Sequence, residues 1–488
     1  MNKCLIFSID RTSMYRRGSG AYRIASYLRE NDWDTEVIDF AGYWTFFQLT
    51  QLAKQRFTDN VKFVGFSYLF IEKPIPEIEM FGNWIKKNYP YIKIIFGGPN
   101  IYRYSNSYTD YNVHGFGEVA LLELLKYLFS NGPLPKFSLL SAVGKAISAN
   151  DVYPSFPMNS LMIKYEDRDF IQPYEWLGVE FARGCKFACA FCSYPVLGVK
   201  GDYSRDAKDF ELQMRDAYDR FGITKYYVSD ETFNDRTEKI TKFADVVEKL
   251  NFMPFFTGFI RGDLLVNRPA DKEELLRMGF LGQFYGVETF YHETGKIVGK
   301  GMDPKKLKDG LLEVKNYFEN NGSKRYRGHI SLIAGLPKEP VSSLYESGEW
   351  LRKNWQGQAF SFYPLEIPLS DFDKPSKIAL DWAKYGYADA SKDLDIQEYS
   401  GASRTATDYF KTLIWKNEHM NLKEADKIAK YLDNIKYIDG NDFRQGSFSL
   451  LRLGLPTDID EALKVPEGVN FPRPVEFINN YITAKLGL

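Results

Sequence analysis

The chain is written as short apolar runs separated by amphipathic stretches. Lys3–Ile9 is a run rich in Ile, Leu and Phe. A glycine-bearing loop from Arg16 to Gly20 follows, and Ile24, Ala25 and Leu28 then recur at helical spacing. Thr35–Phe40, Phe63–Tyr68 and Ile92–Phe96 are further strand candidates, with Glu77–Lys87 patterned as a helix between the last two. Gly97–Gly98–Pro99 breaks the fourth run, and Val113 leads through Gly115–Phe116–Gly117–Glu118 into an apolar helix from Val119 to Leu128. Strands separated by helices predict a doubly wound parallel sheet covered on both faces, with ligands at the carboxyl ends of its strands.

Residues 131–172 contain Pro133, Pro135, Pro154 and Pro157 with little sustained periodicity, which reads as a connector. A second series follows. Its strands lie near Gly178–Ala182, Lys225–Ser229, Phe255–Ile260, Gln283–Glu288, Gly328–Ile333 and Ala359–Tyr363. Its helices lie over Thr237–Leu250, Lys272–Met278, Pro304–Asn320 and Ser342–Trp355. This rhythm fits a partial (β/α)6 barrel over 173–365, with its chemistry at the strand ends. Beyond Pro364 the rhythm stops. Residues 366–488, with helical stretches near Leu422–Asn434 and Pro474–Ala484, read as a mainly helical capping or substrate-facing extension, and 1–130 as the first α/β unit.

Composition narrows the class. A content of 44% hydrophobic and 16% aromatic residues supplies a packed interior and excludes wholesale disorder, and 488 residues suit more than one domain. With 63 basic and 64 acidic side chains the net charge is −1, which gives no bulk field for nucleic acid or an anionic membrane. The small basic run Lys324, Arg325 and Arg327 is expected to be a solvated loop. No run approaches the roughly 18 apolar residues of a membrane span, and Asp10 and Arg11 stop the first apolar run too early for a signal segment. Four cysteines are too few for a disulfide-built secreted scaffold, so a reducing, cytoplasmic setting is the default.

Three of those four cysteines fall together, in Cys185–Lys186–Phe187–Ala188–Cys189–Ala190–Phe191–Cys192, directly after the first strand of the second series. A C-x3-C-x2-C loop can turn three thiolates toward one point, and thiolates suit iron–sulfur clusters and zinc. A structural zinc site closes its tetrahedron with a fourth Cys or His, whereas a four-iron cluster on three cysteines keeps one iron open. Cys4, in the first strand, reads as a small buried hydrophobe.

On these residues the chain resembles the radical S-adenosylmethionine (SAM) superfamily. Cys185, Cys189 and Cys192, with Phe191 before the last, match its motif. The resemblance implies a [4Fe–4S] cluster whose open iron binds SAM, and reductive cleavage to a 5′-deoxyadenosyl radical. Tyr226–Phe233 resembles the second-strand segment, so Asp230 and Glu231 are candidates for the methionine amino group. Tyr285–Thr289 resembles the fourth-strand segment, placing Glu288 near ribose or sulfonium. Arg261 could hold the carboxylate, and Ser331–Pro337, with Gly335, resembles the turn near adenine. The bland alternatives are an acidic helix start, a surface ion pair and an ordinary turn. Branches of the superfamily with auxiliary clusters or a second cysteine triplet cannot be built from four cysteines.

Residues 1–130 resemble the cobalamin-binding domain often fused ahead of such a barrel. Ser67 and Leu69 fit its S-x-L segment, Gly97, Gly98 and Pro99 the glycine turn, and Gly115, Gly117 and Glu118 the final turn before a helix. Glycines there let backbone approach a bulky nucleotide tail. The loop Asp10–Gly18 departs from the pattern D-x-H-x-x-G: it has no histidine for cobalt, so cobalamin would be held without that lower ligand. The implied activity is cobalamin-dependent methylation of an unactivated carbon or phosphorus centre in a small molecule or peptide. An external one-electron reductant of flavodoxin or ferredoxin type would feed it. Alternatives are a radical cyclase, isomerase or ring-contracting enzyme without methyl transfer, a cluster or cobalamin sensor, and a zinc-binding interaction module. Among the tyrosines beyond the last strands, Tyr363, Tyr385, Tyr387 and Tyr409 read as packing and surface residues more than as pocket lining.

Overall fold

Two six-stranded parallel sheets organise the chain. The structure is a computed structural model. It describes residues 1–9, 16–68, 75–98, 101, 106–137, 145–152, 162–192, 203–322, 324–369, 376–393, 412–435, 446, 450, 458–465 and 473–488. The first sheet comprises β1 (Asn2–Ser8), β2 (Trp33–Ile38), β3 (Val61–Ser67), β4 (Lys93–Gly98), β5 (Tyr111–His114) and β6 (Lys145–Ser148), in the order β2-β1-β3-β4-β5-β6. Cys4, Leu5, Phe7, Phe63, Val64, Ile94 and Phe96 are buried, as near-continuous apolar strands covered on both faces must be. Helices Ser19–Arg29, Phe46–Arg56, Pro76–Asn88 and Glu118–Phe129 flank the sheet. The chain leaves β1 to opposite sides, toward β2 and toward β3. The crevice between their carboxyl ends, where Ser8 pairs with Ser67, is thus a topological switch point.

The sequence pattern misses two elements here. Lys145–Ser148 falls in the stretch read as a connector yet pairs with β5; four residues flanked by no clear turn carry too little periodicity to be seen. Helix Phe46–Arg56 does have a readable start, because Thr45 and Gln48 form a capping box. Cys4 behaves as expected: it is fully buried, its Sγ donates to Thr35 Oγ1 at 3.1 Å, and burial pushes the thiol up to about 12.

The second sheet contains β7 (Trp176–Val179), β10 (Lys225–Val228), β11 (Phe255–Ile260), β12 (Gly282–Glu288), β13 (Arg327–Ala334) and β14 (Ala359–Pro364), all parallel and in chain order from one edge to the other. A small antiparallel pair, β8 (Ala182–Arg183) and β9 (Tyr203–Ser204), brackets the cysteine loop. The strands alternate between two environments. Phe256 packs on Phe181 and Phe210 beneath the helices, and Tyr285 on Trp355. The opposite face carries Phe259, Phe284 and His329 in successive register. That second face is the lumen of an open (β/α)6 barrel.

Beyond β14 the chain goes to several places. Helix Leu422–Asn434 packs on β14 and β13. Residues 458–465 lie at the amino-terminal end of the barrel, where Arg325 pairs with Asp460 (2.6 Å) and Arg327 Nη2 donates to the Leu463 carbonyl (2.9 Å). Arg327 is therefore buried rather than solvated: its guanidinium satisfies carbonyls at the strand start, which a charge run alone does not reveal. Helix Arg473–Leu486 returns to the first sheet, where Tyr481 packs on Phe40 and Trp44, and Lys485 forms a buried pair with Glu36 at 3.2 Å. Among the described residues, no helix is long and apolar enough to cross a membrane.

Candidate functional site

The strands β10–β14 deliver side chains to one mouth, at their carboxyl ends, and the cysteine loop crosses it from β8. Gly184, at φ +96°, turns the chain into this loop. The Ala190 amide donates to the Val298 carbonyl (3.1 Å), and the Ala190 carbonyl accepts from the Ile378 amide (3.0 Å). The segment beyond the barrel thus clamps the loop. Cys185, Cys189 and Cys192 form no disulfide and are half-buried. Cys185 Sγ lies 3.8 Å from Thr232 Oγ1, and Cys189 Sγ accepts from Arg261 Nη1 at 3.6 Å. Among the described residues, no three His, Cys, Asp or Glu side chains already converge as a metal-binding group. The fit to a cluster rests instead on the donor chemistry: three thiols on one short loop, beside a guanidinium, at a barrel mouth. Phe191 is half-buried against the core.

The other barrel candidates lie at the same mouth with different degrees of access. Asp230 is buried, and its Oδ1 accepts from the Phe181 amide at 2.8 Å, tying β10 to the end of β7. Burial pushes its carboxyl up to about 7, against the pull of Lys239. Glu231, beside it, is half-buried. Arg261 stacks over Phe187, 4.0 Å from Cζ to the ring centroid, and pairs with Asp263 at 2.5 Å. Burial opposes the Arg261 charge, but Asp263 more than compensates, and the guanidinium is held above its ordinary range. Glu288 sits at φ +68° on a register irregularity of β12, 3.6 Å from Lys300 Nζ, and burial raises its carboxyl. Gly335, at φ +94°, has the Trp415 indole where a Cβ would point, and its carbonyl accepts from Tyr387 at 2.7 Å. Tyr387 is thus a packing residue; Tyr409 lies outside the described residues.

Next to this mouth, Glu339 is fully buried and accepts from Thr289 (2.6 Å) and Ser343 (3.3 Å). Burial pushes its carboxyl up to about 8, despite both donors. An unfolded chain releases this proton near its ordinary value, so stability falls as pH rises from about 4.5 to about 8 and is level on either side. At ~1.4 kcal/mol per pH unit, roughly 5 kcal/mol is the ceiling of this loss. Glu339→Gln is expected to flatten the slope of denaturant stability against pH in that window and to be the more stable protein at pH 8. An unchanged slope would refute this.

In the first sheet, Ser67 ends β3 and Gly97 lies beside it in β4. Among the described residues, a Cβ on Gly97 would meet nothing nearer than the Val113 carbonyl at 3.8 Å. Gly98 (φ +147°) and Gly115 (φ +89°) hold conformations that favour glycine, and a Cβ on Gly98 would strike the Tyr68 carbonyl at 1.9 Å. Gly117 is packed by Val113 and Ile24. Internal packing accounts for Gly98 and Gly117 without any ligand. Glu118 is buried in an ion pair with Arg183 (2.6 Å) and Arg23 (3.4 Å). Burial alone would raise its carboxyl, but the two guanidiniums hold it down at about 2. Arg183 also stacks over Phe116 at 4.2 Å. The cysteine-bearing loop is thereby bolted to the first sheet two residues before Cys185. Leu69 and Pro99 lie outside the described residues.

Residues 179–351 match the family model described as the Radical SAM superfamily. The chain carries a radical SAM domain. No curated protein matches the sequence. Among solved structures, the chain is similar to the radical S-adenosylmethionine methyltransferase TsrM from Kitasatospora setae, solved with cobalamin and a [4Fe-4S] cluster bound: 13% identity over 90% of this chain and 92% of that one, TM-score 0.65. It is also similar to the cobalamin-dependent S-adenosylmethionine radical enzyme OxsB, solved with aqua-cobalamin: 14% identity over 100% of this chain and 80% of that one, TM-score 0.63. At these identities the likeness establishes the fold, an α/β sheet followed by a radical SAM barrel. Two residues that the motif did not single out stand at the same mouth. Phe187, inside the cysteine loop, stacks under Arg261, a contact that the sequence pattern did not single out. Lys300, whose Nζ donates to the Gly286 carbonyl at 2.5 Å, stands in a loop with no local signal.

Proposed function

We propose that this protein is a cobalamin-dependent radical SAM methyltransferase acting on an unactivated centre of a small molecule or peptide. The observation that carries the reading is the C-x3-C-x2-C loop at the mouth of a six-stranded parallel barrel, bolted through Arg183 and Glu118 to a sheet with a topological switch point. Two solved structures of similar fold, one of them a methyltransferase, support it.

Cys185, Cys189 and Cys192 would hold a [4Fe–4S] cluster and the Ser67–Gly97 edge a cobalamin. When bound, these groups supply the electron for SAM cleavage and a methyl carrier, and the protein's work is to orient and to exclude water. Arg261 with Asp263 and Lys300 with Glu288 place fixed charges of both signs at the mouth, matching the ammonium, carboxylate and sulfonium of SAM. Ile378 holds the loop from outside. The electron comes from a flavodoxin- or ferredoxin-type donor, in a reducing cytoplasm.

The test is anaerobic reconstitution with iron, sulfide and cobalamin, followed by dithionite and SAM. Both 5′-deoxyadenosine and S-adenosylhomocysteine should form, the second only with cobalamin. If 5′-deoxyadenosine forms alone, the protein is a cyclase, isomerase or ring-contracting enzyme instead. Bound zinc without iron would leave an interaction module.

A further inference from the structure

Thiolates carry negative charge, and the groups that donate to them help decide how readily a cluster they hold accepts an electron. Arg261 Nη1 is aimed at one of the three thiols, Cys189 Sγ, at 3.6 Å. Thr232 Oγ1, the neighbour of Cys185, already gives its hydrogen to the Glu231 carbonyl at 2.8 Å, so it has none left for that sulfur. The charged donor at the cysteine loop is therefore Arg261.

Arg261 is 7% exposed and is held at both its backbone and its side chain. Buried Asn234 brackets the backbone: the Arg261 amide donates to Asn234 Oδ1 at 2.8 Å, and Asn234 Nδ2 donates to the Arg261 carbonyl at 3.0 Å. The guanidinium Nε and Nη2 donate in a fork to the two Asp263 oxygens, at 3.0 and 2.5 Å. Nη2 also reaches the Gly299 carbonyl at 3.5 Å, and the Phe187 ring lies 4.0 Å from Cζ. Asp263 thus occupies one edge of the guanidinium and leaves Nη1 for Cys189. The preceding residue of the same turn, Val298, holds the Ala190 amide, so one turn fixes both the cation and the cysteine loop.

From this we infer that Arg261 raises the reduction potential of the cluster held by Cys185, Cys189 and Cys192, and that Asp263 limits the rise. The inference rests on the radical SAM reading, which supplies the cluster. Reduction adds one electron to the cluster and no proton, and the electron comes from the flavodoxin- or ferredoxin-type donor. A fixed positive charge and an N–H directed at sulfur both favour the form that carries the extra electron. Burial keeps water from screening that charge. The Asp263 carboxylate opposes it from the edge turned away from Nη1, so the nearer positive charge prevails at Cys189.

The test is a redox titration of the reconstituted full chain with dithionite and mediators, read by visible absorbance and electron paramagnetic resonance. SAM is left out, which keeps any contact between Arg261 and its carboxylate out of the measurement. At one fixed poise, Arg261→Gln should lower the reduced-to-oxidised ratio at least about tenfold, about 59 mV for one electron. Arg261→Lys should restore part of it, because the charge returns without the planar fork. Asp263→Asn, which removes the counter-charge and keeps the guanidinium, should raise the ratio about threefold or more. Opposite movement in these two variants is what a merely structural role cannot produce, since losing either partner would loosen the same contact. A ratio within about twofold of the parent in Arg261→Gln overturns the inference. Should that variant take up no iron, Asp263→Asn decides, and an unchanged or lowered ratio there overturns it. A parent that binds no cluster sinks the radical SAM reading itself, whereas a clustered parent with an insensitive potential sinks the inference alone.

Discussion

Alanine at Cys185, Cys189 or Cys192 is expected to abolish iron binding and the broad visible absorbance of the reconstituted protein, and with them all SAM cleavage. The reason is the absence of a spare ligand. A cluster held by three thiolates loses its site when one is removed, and the remaining cysteine, Cys4, is buried in β1 with its thiol pushed up to about 12. Cys4→Ala is therefore the control and should keep full iron. The loop's backbone anchors, at Ala190, do not involve the thiols, so each variant should fold and melt as the parent does. Iron and sulfide content per chain is the measurement. Undiminished iron in any one of the three variants would remove that cysteine from the cluster, and undiminished iron in all three would end the assignment.

Arg17→Met should cost about 3–5 kcal/mol of stability, the range for stripping one partner from a buried ion pair. Arg17 is 1% exposed. Its guanidinium donates to Glu175 at 2.6 and 2.9 Å, to Asp39 at 2.8 Å, to Tyr22 at 3.1 Å, and to the carbonyls of Asp169 and Phe170. Methionine fills much of the volume but leaves two carboxylates buried without their cation. Lysine does little better, because a single ammonium cannot span donors fixed in a fork. For units of this size the loss corresponds to a melting temperature lower by roughly 10 °C, read by near-ultraviolet circular dichroism. A shift under about 2 °C would show that the cluster contributes specificity rather than stability.

How much of this was legible follows from how local each signal is. The barrel strands and the cysteine loop are written in consecutive residues, and a period or a spacing suffices to find them. The Arg17 cluster is not: its partners come from β2's end, from residues 169–175 and from the last helix, and nothing in the local pattern around Arg17 points to them. Glu118 was legible as the end of a glycine turn, yet its partner Arg183 stands 65 residues later, and only the folded chain shows that a site residue is committed to an ion pair. Asp230 shows the same limit from the other side. Its position in the motif is readable, while its burial and its bond to the Phe181 amide depend on how β7 and β10 end.

Helix Arg473–Leu486 has a consequence for how the protein is made. The Asp39 amide donates to Tyr481 at a separation of 442 residues. At a translation rate of roughly 5–20 residues per second, that gap lasts on the order of 20–90 s. During this interval the first sheet can pair all of its strands, but the face bearing Glu36, Phe40 and Trp44 lacks the cover of that helix. The first α/β unit thus waits for its Tyr481 and Lys485 contacts through most of that interval. That face is closed only when helix Arg473–Leu486 packs against it.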